Sequence, residues 1–134
     1  MALSKVEKRE LREIFKSYDK LKVAYLFGSY AINEENKASD IDIGILLDKD
    51  FEAMIKVDIL TDLAEQGYCN VDLVILNQAD PITKYEIVKH NQIIYKRKDF
   101  AANSYFSLCI RKYLDLKPLF RVQEKYLKER ILNG

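Results

Sequence analysis

Histidine occurs once in this chain, at His90, and cysteine twice, at Cys69 and Cys109. One histidine excludes a clustered histidine zinc site, and two widely spaced cysteines form no C-x-x-C pair or metal-ligand framework; both are expected as core thiols. No apolar run approaches the roughly 18 residues needed to cross a bilayer, and the opening MALSKVEKREL lacks the apolar centre of a signal peptide, so a cytoplasmic protein is expected. Neither sign of charge dominates, with 22 Lys and Arg against 21 Asp and Glu. That balance gives no general attraction to a polyanion or an anionic membrane, so no stable nucleic-acid or membrane partner is expected, although it leaves room for a local basic patch. Also missing are a G-x-x-x-x-G-K-[ST] phosphate loop, a G-x-G-x-x-G dinucleotide signature, internal repeats and any low-complexity linker.

What is present fits one folded unit. A length of 134 residues, 49% of them hydrophobic, supports a single domain over 1–134 with a real core and no second substrate lobe. Ser4 and Glu7 fit a capping box ahead of a helix over about 5–19. KVAYLF (22–27), DIDIGILL (40–47), CNVDLVIL (69–76) and QIIYK (92–96) read as strands. Residues 51–66 read as a helix with Phe51, Met54, Ile55, Ile59 and Leu63 inward, stopped at Gly67. Asp80 and Pro81 open another helix through about His90. From Asp99 to 132 the pattern is helical, with a stripe of Phe106, Ile110, Tyr113 and Leu114 and a bend or break at Pro118. The fold class expected is mixed α/β (α+β), a small mixed sheet flanked by helices with a C-terminal helical extension.

Residues two apart on a strand share a face, so Asp40 and Asp42 project together while Ile41 and Ile43 enter the packed side. Asp72 holds the same kind of position inside VDLVIL and joins them if the strands are neighbours. Carboxylates grouped on an otherwise apolar sheet repel and desolvate one another unless a cation compensates. Hard divalent ions such as Mg²⁺ suit that need, and two of them can align an attacking oxygen with a phosphorus atom. Gly28 permits a tight turn or close approach of a phosphate, and Ser29 offers a hydroxyl and an amide. Phosphoryl-type chemistry is the reading these residues support.

Gly28-Ser29, ten intervening residues, Asp40-Ile41-Asp42 and then Asp72 in a later strand resemble the minimal nucleotidyltransferase (MNT) branch of the DNA-polymerase-β-like nucleotidyltransferase superfamily, over a motif-bearing core of about 20–97. The resemblance implies that Asp40 and Asp42 bind two Mg²⁺ ions, that Asp72 completes the site and activates an acceptor hydroxyl, and that Gly28 and Ser29 contact the phosphates of ATP. It also implies an antitoxin that transfers AMP to a tyrosine of a small helical HEPN-domain ribonuclease toxin, within a homo- or hetero-oligomeric assembly. The segment GSYAIN departs from the common GSRARG form by two arginines, which leaves phosphate binding to Ser29, Lys37 or a partner, with loss of activity as the alternative. An MNT-like antitoxin that acts by binding alone, and a transferase for a small molecule or RNA end, are the rival readings.

Three other features carry less. The apolar residues from Tyr105 to Leu127, including Phe120 and Tyr126, are either wholly intrachain core or leave a remainder that receives a partner helix. His90 is expected as a capping or surface residue. The KRK run at 96–98 is expected as solvated surface, with attraction of ATP or an acidic partner face as the alternative.

Overall fold

Helix α1, Lys5–Lys16, begins with the capping box: the Glu7 amide donates to Ser4 Oγ at 3.1 Å and the Ser4 amide to Glu7 Oε1 at 3.0 Å. It ends three residues earlier than 5–19 would require, at a C-cap where the Ser17 hydroxyl donates to the Ile14 carbonyl at 2.6 Å. The computed structural model describes residues 3–28 and 40–133, with side chains described for 3–28 and 40–118.

Four strands follow: β1 Leu21–Phe27, β2 Ile41–Leu47, β3 Val71–Ile75 and β4 Gln92–Lys96. They form one mixed sheet in the order β3-β2-β1-β4, in which β2 pairs antiparallel with β1 and parallel with β3, and β1 pairs antiparallel with β4. Helix α2, Ile55–Glu65, supplies the crossover that a parallel pair needs. Helix α3, Pro81–Val88, and helix α4, Ala102–Asn133, complete the fold.

Period-two alternation sorts the sheet residues into two cores. Ala24, Leu26, Ile43, Ile45 and Leu73 meet Leu11 and Phe15 of α1 and Ile59 and Leu63 of α2. Val23 and Tyr25 face the other way and meet Leu76, Ile87, Val88 and Cys109, from the α3 and α4 side. Helices therefore cover both faces, as the expected mixed α/β architecture requires. Gly44 sets how closely α3 approaches: a Cβ there would lie 2.5 Å from Ile87 Cγ2.

Several local expectations are corrected. Helix α2 starts at Ile55 rather than 51, with Met54 at its N-cap and no side-chain cap, while the Asp50 carboxylate pairs with Lys20. Met54, expected inward, is 59% exposed, while Phe51 packs half-buried from the turn before the helix. Gly67, at φ +94°, ends α2 as expected. Cys109 is a core thiol, but Cys69 is exposed, since β3 starts only at Val71. Asp80 caps α3 by accepting from the Thr83 amide at 2.8 Å, and exposed His90 lies in the turn beyond it.

Helix α4 starts at Ala102 rather than 99, because Asp99 is bound to Arg97 instead of capping it. Its inward face runs through Tyr105, Phe106, Cys109, Ile110 and Tyr113, the last stacked on Tyr85 with centroids 3.9 Å apart. Leu114, expected in that stripe, is 52% exposed. The helix continues through Pro118, whose missing amide deprives only the carbonyl of that exposed leucine. The side chains of Phe120 and Tyr126 lie outside those described.

At the β1 start, Arg97 binds Asp48 through both terminal nitrogens at 2.9 and 3.0 Å, Asp99 at 2.6 Å, and the Asp19 carbonyl at 2.7 Å. The middle residue of the KRK run is thus a structural tie. The run lies beside Lys22 and Val23, whereas Asp42 pairs with Phe27 at the other end of β1, so it does not serve the carboxylates.

Overpacking at Gly44 gives the first test. Gly44→Ala drives a methyl into Ile87 Cγ2, a branch fixed to Cβ that cannot swing aside, and is expected to destabilise the fold by about 1–3 kcal/mol in urea unfolding. An unchanged midpoint would show that α3 yields freely.

Candidate active site

The candidate site forms where β1 ends. Phe27 pairs with Asp42, and the chain turns at Gly28 with φ +69°, a left-handed conformation that glycine adopts without a Cβ penalty. A Cβ on Gly28 would run into the Asp42 carboxylate, 3.1 Å from its Cγ and closer still to Oδ2. Glycine is therefore required twice at this position, by its backbone conformation and by the carboxyl group beside it.

Asp42 lies between Ile41 and Ile43, which pack toward α1 and α2, so its side chain takes the α3 and α4 side of the sheet. Ile87 covers that side at Gly44, two residues along β2, and Asp42 is left half-buried at the rim. The parallel register sets Asp42 against Asp72, and strand neighbours in register share a face. Asp72 is exposed and reachable from solvent.

Asp40 is placed differently from the expectation that DIDIGILL is strand throughout. Strand β2 begins at Ile41, whose amide donates to the Asn70 carbonyl at 2.9 Å, and Asp40 stands exposed just before it. Ser29, like Lys37, lies outside the described residues. Among the described residues no group of three His, Cys, Asp or Glu side chains is arranged to hold a metal ion. What strand pairing does bring together is Asp42 and Asp72, with Gly28 against the former.

Burial pushes the Asp42 carboxyl above its ordinary value, and the negative charges of Asp72 and then Asp40 push it the same way. Desolvation and like charge both oppose its ionised form, the condition a cation relieves. Asn77, which sequence reading passes over, fixes the far end of the same strand pair. Its amide accepts from the Leu47 amide at 2.8 Å and donates to the Leu47 carbonyl at 2.7 Å, copying a strand rung after β3 has ended. The only signal was an asparagine directly after an apolar strand, which is also an ordinary turn residue.

Two predictions follow from this geometry. Because the folded carboxyl titrates above its unfolded value, Asp42 stabilises the fold fully only below the unfolded value, and that contribution is lost as pH rises through the raised one. In chelator-treated protein, Asp42→Asn should therefore unfold at a higher temperature than wild type at pH 7, with the gap closing as pH falls into the carboxylate range. A gap independent of pH would remove electrostatic strain from the account. Gly28→Ala is expected to cost about 1–3 kcal/mol from backbone strain, besides the clash with Asp42, measured by urea unfolding.

Comparison with known proteins adds three observations. A family described as "Polymerase beta, Nucleotidyltransferase" matches residues 9–100. The chain is 30% identical over 76 residues to the protein adenylyltransferase MntA of Shewanella oneidensis, covering 57% of this chain and 55% of that one; it thus spans about half the length of the curated relative it matches. Among solved structures, one described as a toxin-antitoxin with AMP-PNP superposes with a TM-score of 0.77 at 21% identity, over 90% of this chain and 98% of that one. A second, described as a tri-AMPylated Shewanella oneidensis HEPN toxin in complex with MNT antitoxin, gives 0.74 at 20% identity, over 94% and 99%. At these identities the structural likeness establishes the fold.

Proposed function

The chain belongs to the polymerase beta nucleotidyltransferase family, and on that premise we propose that it is a Mg²⁺-dependent protein adenylyltransferase that transfers AMP from ATP to a tyrosine hydroxyl of a HEPN-domain toxin and so acts as its antitoxin. The observation that carries the reading is the in-register pair of Asp42 and Asp72 beside a glycine that leaves no Cβ between backbone and carboxylate. The relatives support the acceptor class: one is a protein adenylyltransferase, and another is an antitoxin bound to an AMPylated HEPN toxin.

The donor set fits a hard divalent ion. All three candidate ligands, Asp40, Asp42 and Asp72, are carboxylates, and the half-buried one is held where ionisation is unfavourable without a counter-charge. When bound, Mg²⁺ supplies charge neutralisation for the triphosphate and for the charge that develops during transfer. The chain's own residues supply placement. Gly28 lets phosphate oxygens approach the backbone, and Ser29 adds a hydroxyl and an amide. Asp72, exposed beside Asp42, accepts the proton of the acceptor hydroxyl as its oxygen forms a bond to the α-phosphorus. The bond from that phosphorus to the bridging oxygen breaks, and pyrophosphate leaves with the electron pair.

The test is transfer of labelled AMP from ATP to a HEPN-domain toxin protein. Loss of several kcal/mol of transition-state stabilisation corresponds to more than a hundredfold in rate, and that is the expected deficit for Asp42→Asn and Asp72→Asn with fold intact. GSYAIN carries neither of the arginines of GSRARG. A wild type that binds the toxin tightly but labels no tyrosine would therefore establish the binding-only reading in place of this one.

A further inference from the structure

Helix α1 carries two distinct faces. Leu11 and Phe15 are fully buried against the sheet, while Lys5, Arg9, Arg12 and Lys16 are all exposed. At 100° per residue these four fall within about 40° of one line, and at 1.5 Å per residue the line is about 16 Å long. Four cations in register along one helix are not a consequence of composition, since the whole chain has a net charge of +1.

The stripe continues onto the sheet. A cleft of about 490 Å³ lies between α1 and the end of β4, lined by Arg12, Glu13, Lys16, Tyr95, Lys96, Arg97 and Lys98. Arg97 is committed to Asp48 and Asp99, and Glu13 is the only carboxylate on the wall. Arg12 donates its Nε to the Ile94 carbonyl at 3.3 Å, which anchors its stem at the strand edge and leaves both terminal nitrogens for another acceptor. Among the described residues, Lys16, Lys96 and Lys98 have no carboxylate within ion-pair distance. The Tyr95 ring, half-buried, forms an aromatic wall among these cations.

We infer that this basic face binds the phosphodiester backbone of a nucleic-acid strand, with Lys5, Arg9, Arg12, Lys16 and Lys98 on successive phosphates and Tyr95 available to a base. A line of cations matches a chain of phosphates, and an aromatic ring among them is the usual platform for an unpaired base. A protein partner would want apolar anchors at the centre of its interface. Among the described residues the large exposed apolar side chains lie elsewhere, with Met54 just before α2, Val57 on it, Leu108 and Leu114 on α4, and Val6 about a quarter turn from the stripe. The neutral overall charge argued against a nucleic-acid partner only in the absence of such a patch.

This face is separate from the carboxylates. Helix α1 packs on the side of the sheet opposite Asp42, and Lys96 pairs with Val23, at the end of β1 away from Gly28. The inference therefore stands or falls independently of adenylyl transfer, and its readout needs neither ATP nor Mg²⁺.

Fluorescence anisotropy of the full chain with a labelled 20-nucleotide RNA, the DNA of the same sequence and its duplex, between 25 and 200 mM NaCl, tests it. Contacts to four to six phosphates of a single strand predict a log–log salt slope of about −3 to −4. Tighter binding of the RNA would identify RNA as the source, and equal binding of both single strands a backbone reader. The triple variant Arg9→Gln, Lys16→Gln, Lys98→Gln keeps the Arg12 anchor and should weaken binding at least tenfold at 25 mM, with a slope shallower by about 2. A control with the same change of net charge on other exposed lysines, Lys49→Gln, Lys56→Gln, Lys112→Gln, should keep the wild-type slope. No binding to any strand at 25 mM, or equal losses in the two triple variants, would overturn the assignment.

Discussion

Parallel pairing of β2 with β3 is the constraint on which the site depends. Its register sets Asp42 against Asp72, and it is held at both ends: the Ile41 amide bonds the Asn70 carbonyl, and the Asn77 side chain brackets Leu47. A slip of β2 by one residue would turn Asp42 into the apolar layer formed with α1 and α2, away from Asp72, and expel Ile41 and Ile43 from it. The burial of those isoleucines therefore fixes the position of the acids. Two glycines then shape the space around Asp42, Gly28 by admitting the carboxylate and Gly44 by admitting Ile87 of α3.

Charge is separated along the sheet. At the Gly28 end, like charges stand together and burial opposes ionisation of Asp42. At the other end, Arg97 joins Asp48 and Asp99, and both carboxyls are held below their ordinary values by its hydrogen bonds. No polar or charged residue is fully buried among the described residues, so the apolar layers carry stability while unfavourable charge is confined to the rim. A site that is repulsive in isolation and compensated by a cation is a common form of preorganisation for phosphoryl-type transfer.

The elements legible in the sequence were those with a strong local code. The Ser4 and Glu7 capping box, the Asp80-Pro81 helix start, the Gly67 stop and the alternation of IDIGILL from Ile41 all appear as read. The misplaced ones depend on partners distant in the chain. The helical patterns read from 51 and from 99 begin only at Ile55 and Ala102, and Met54 and Leu114 look inward until helix position and rotation are known. The pairing of Asp42 with Asp72 was suggested by matching strand contexts, but their adjacency needed the register. Asp40 shared the alternation of β2 on paper and lies one residue outside it, where the chain meets Asn70 instead. The basic stripe was also present in the periodicity of α1, hidden by a balanced total charge.

The central proposal is that Asp42 and Asp72 share one divalent-cation site beside Gly28 at the end of β1. Amide NMR during titration with Mn²⁺, a paramagnetic substitute for Mg²⁺, tests it without requiring a toxin or turnover. The signals of Gly28, Asp42 and Asp72 are predicted to broaden first, those of Lys96 and Lys98 to persist, and the selectivity to disappear in Asp42→Asn. Uniform broadening, or broadening centred on the Asp48 and Asp99 end of the sheet, would contradict the site.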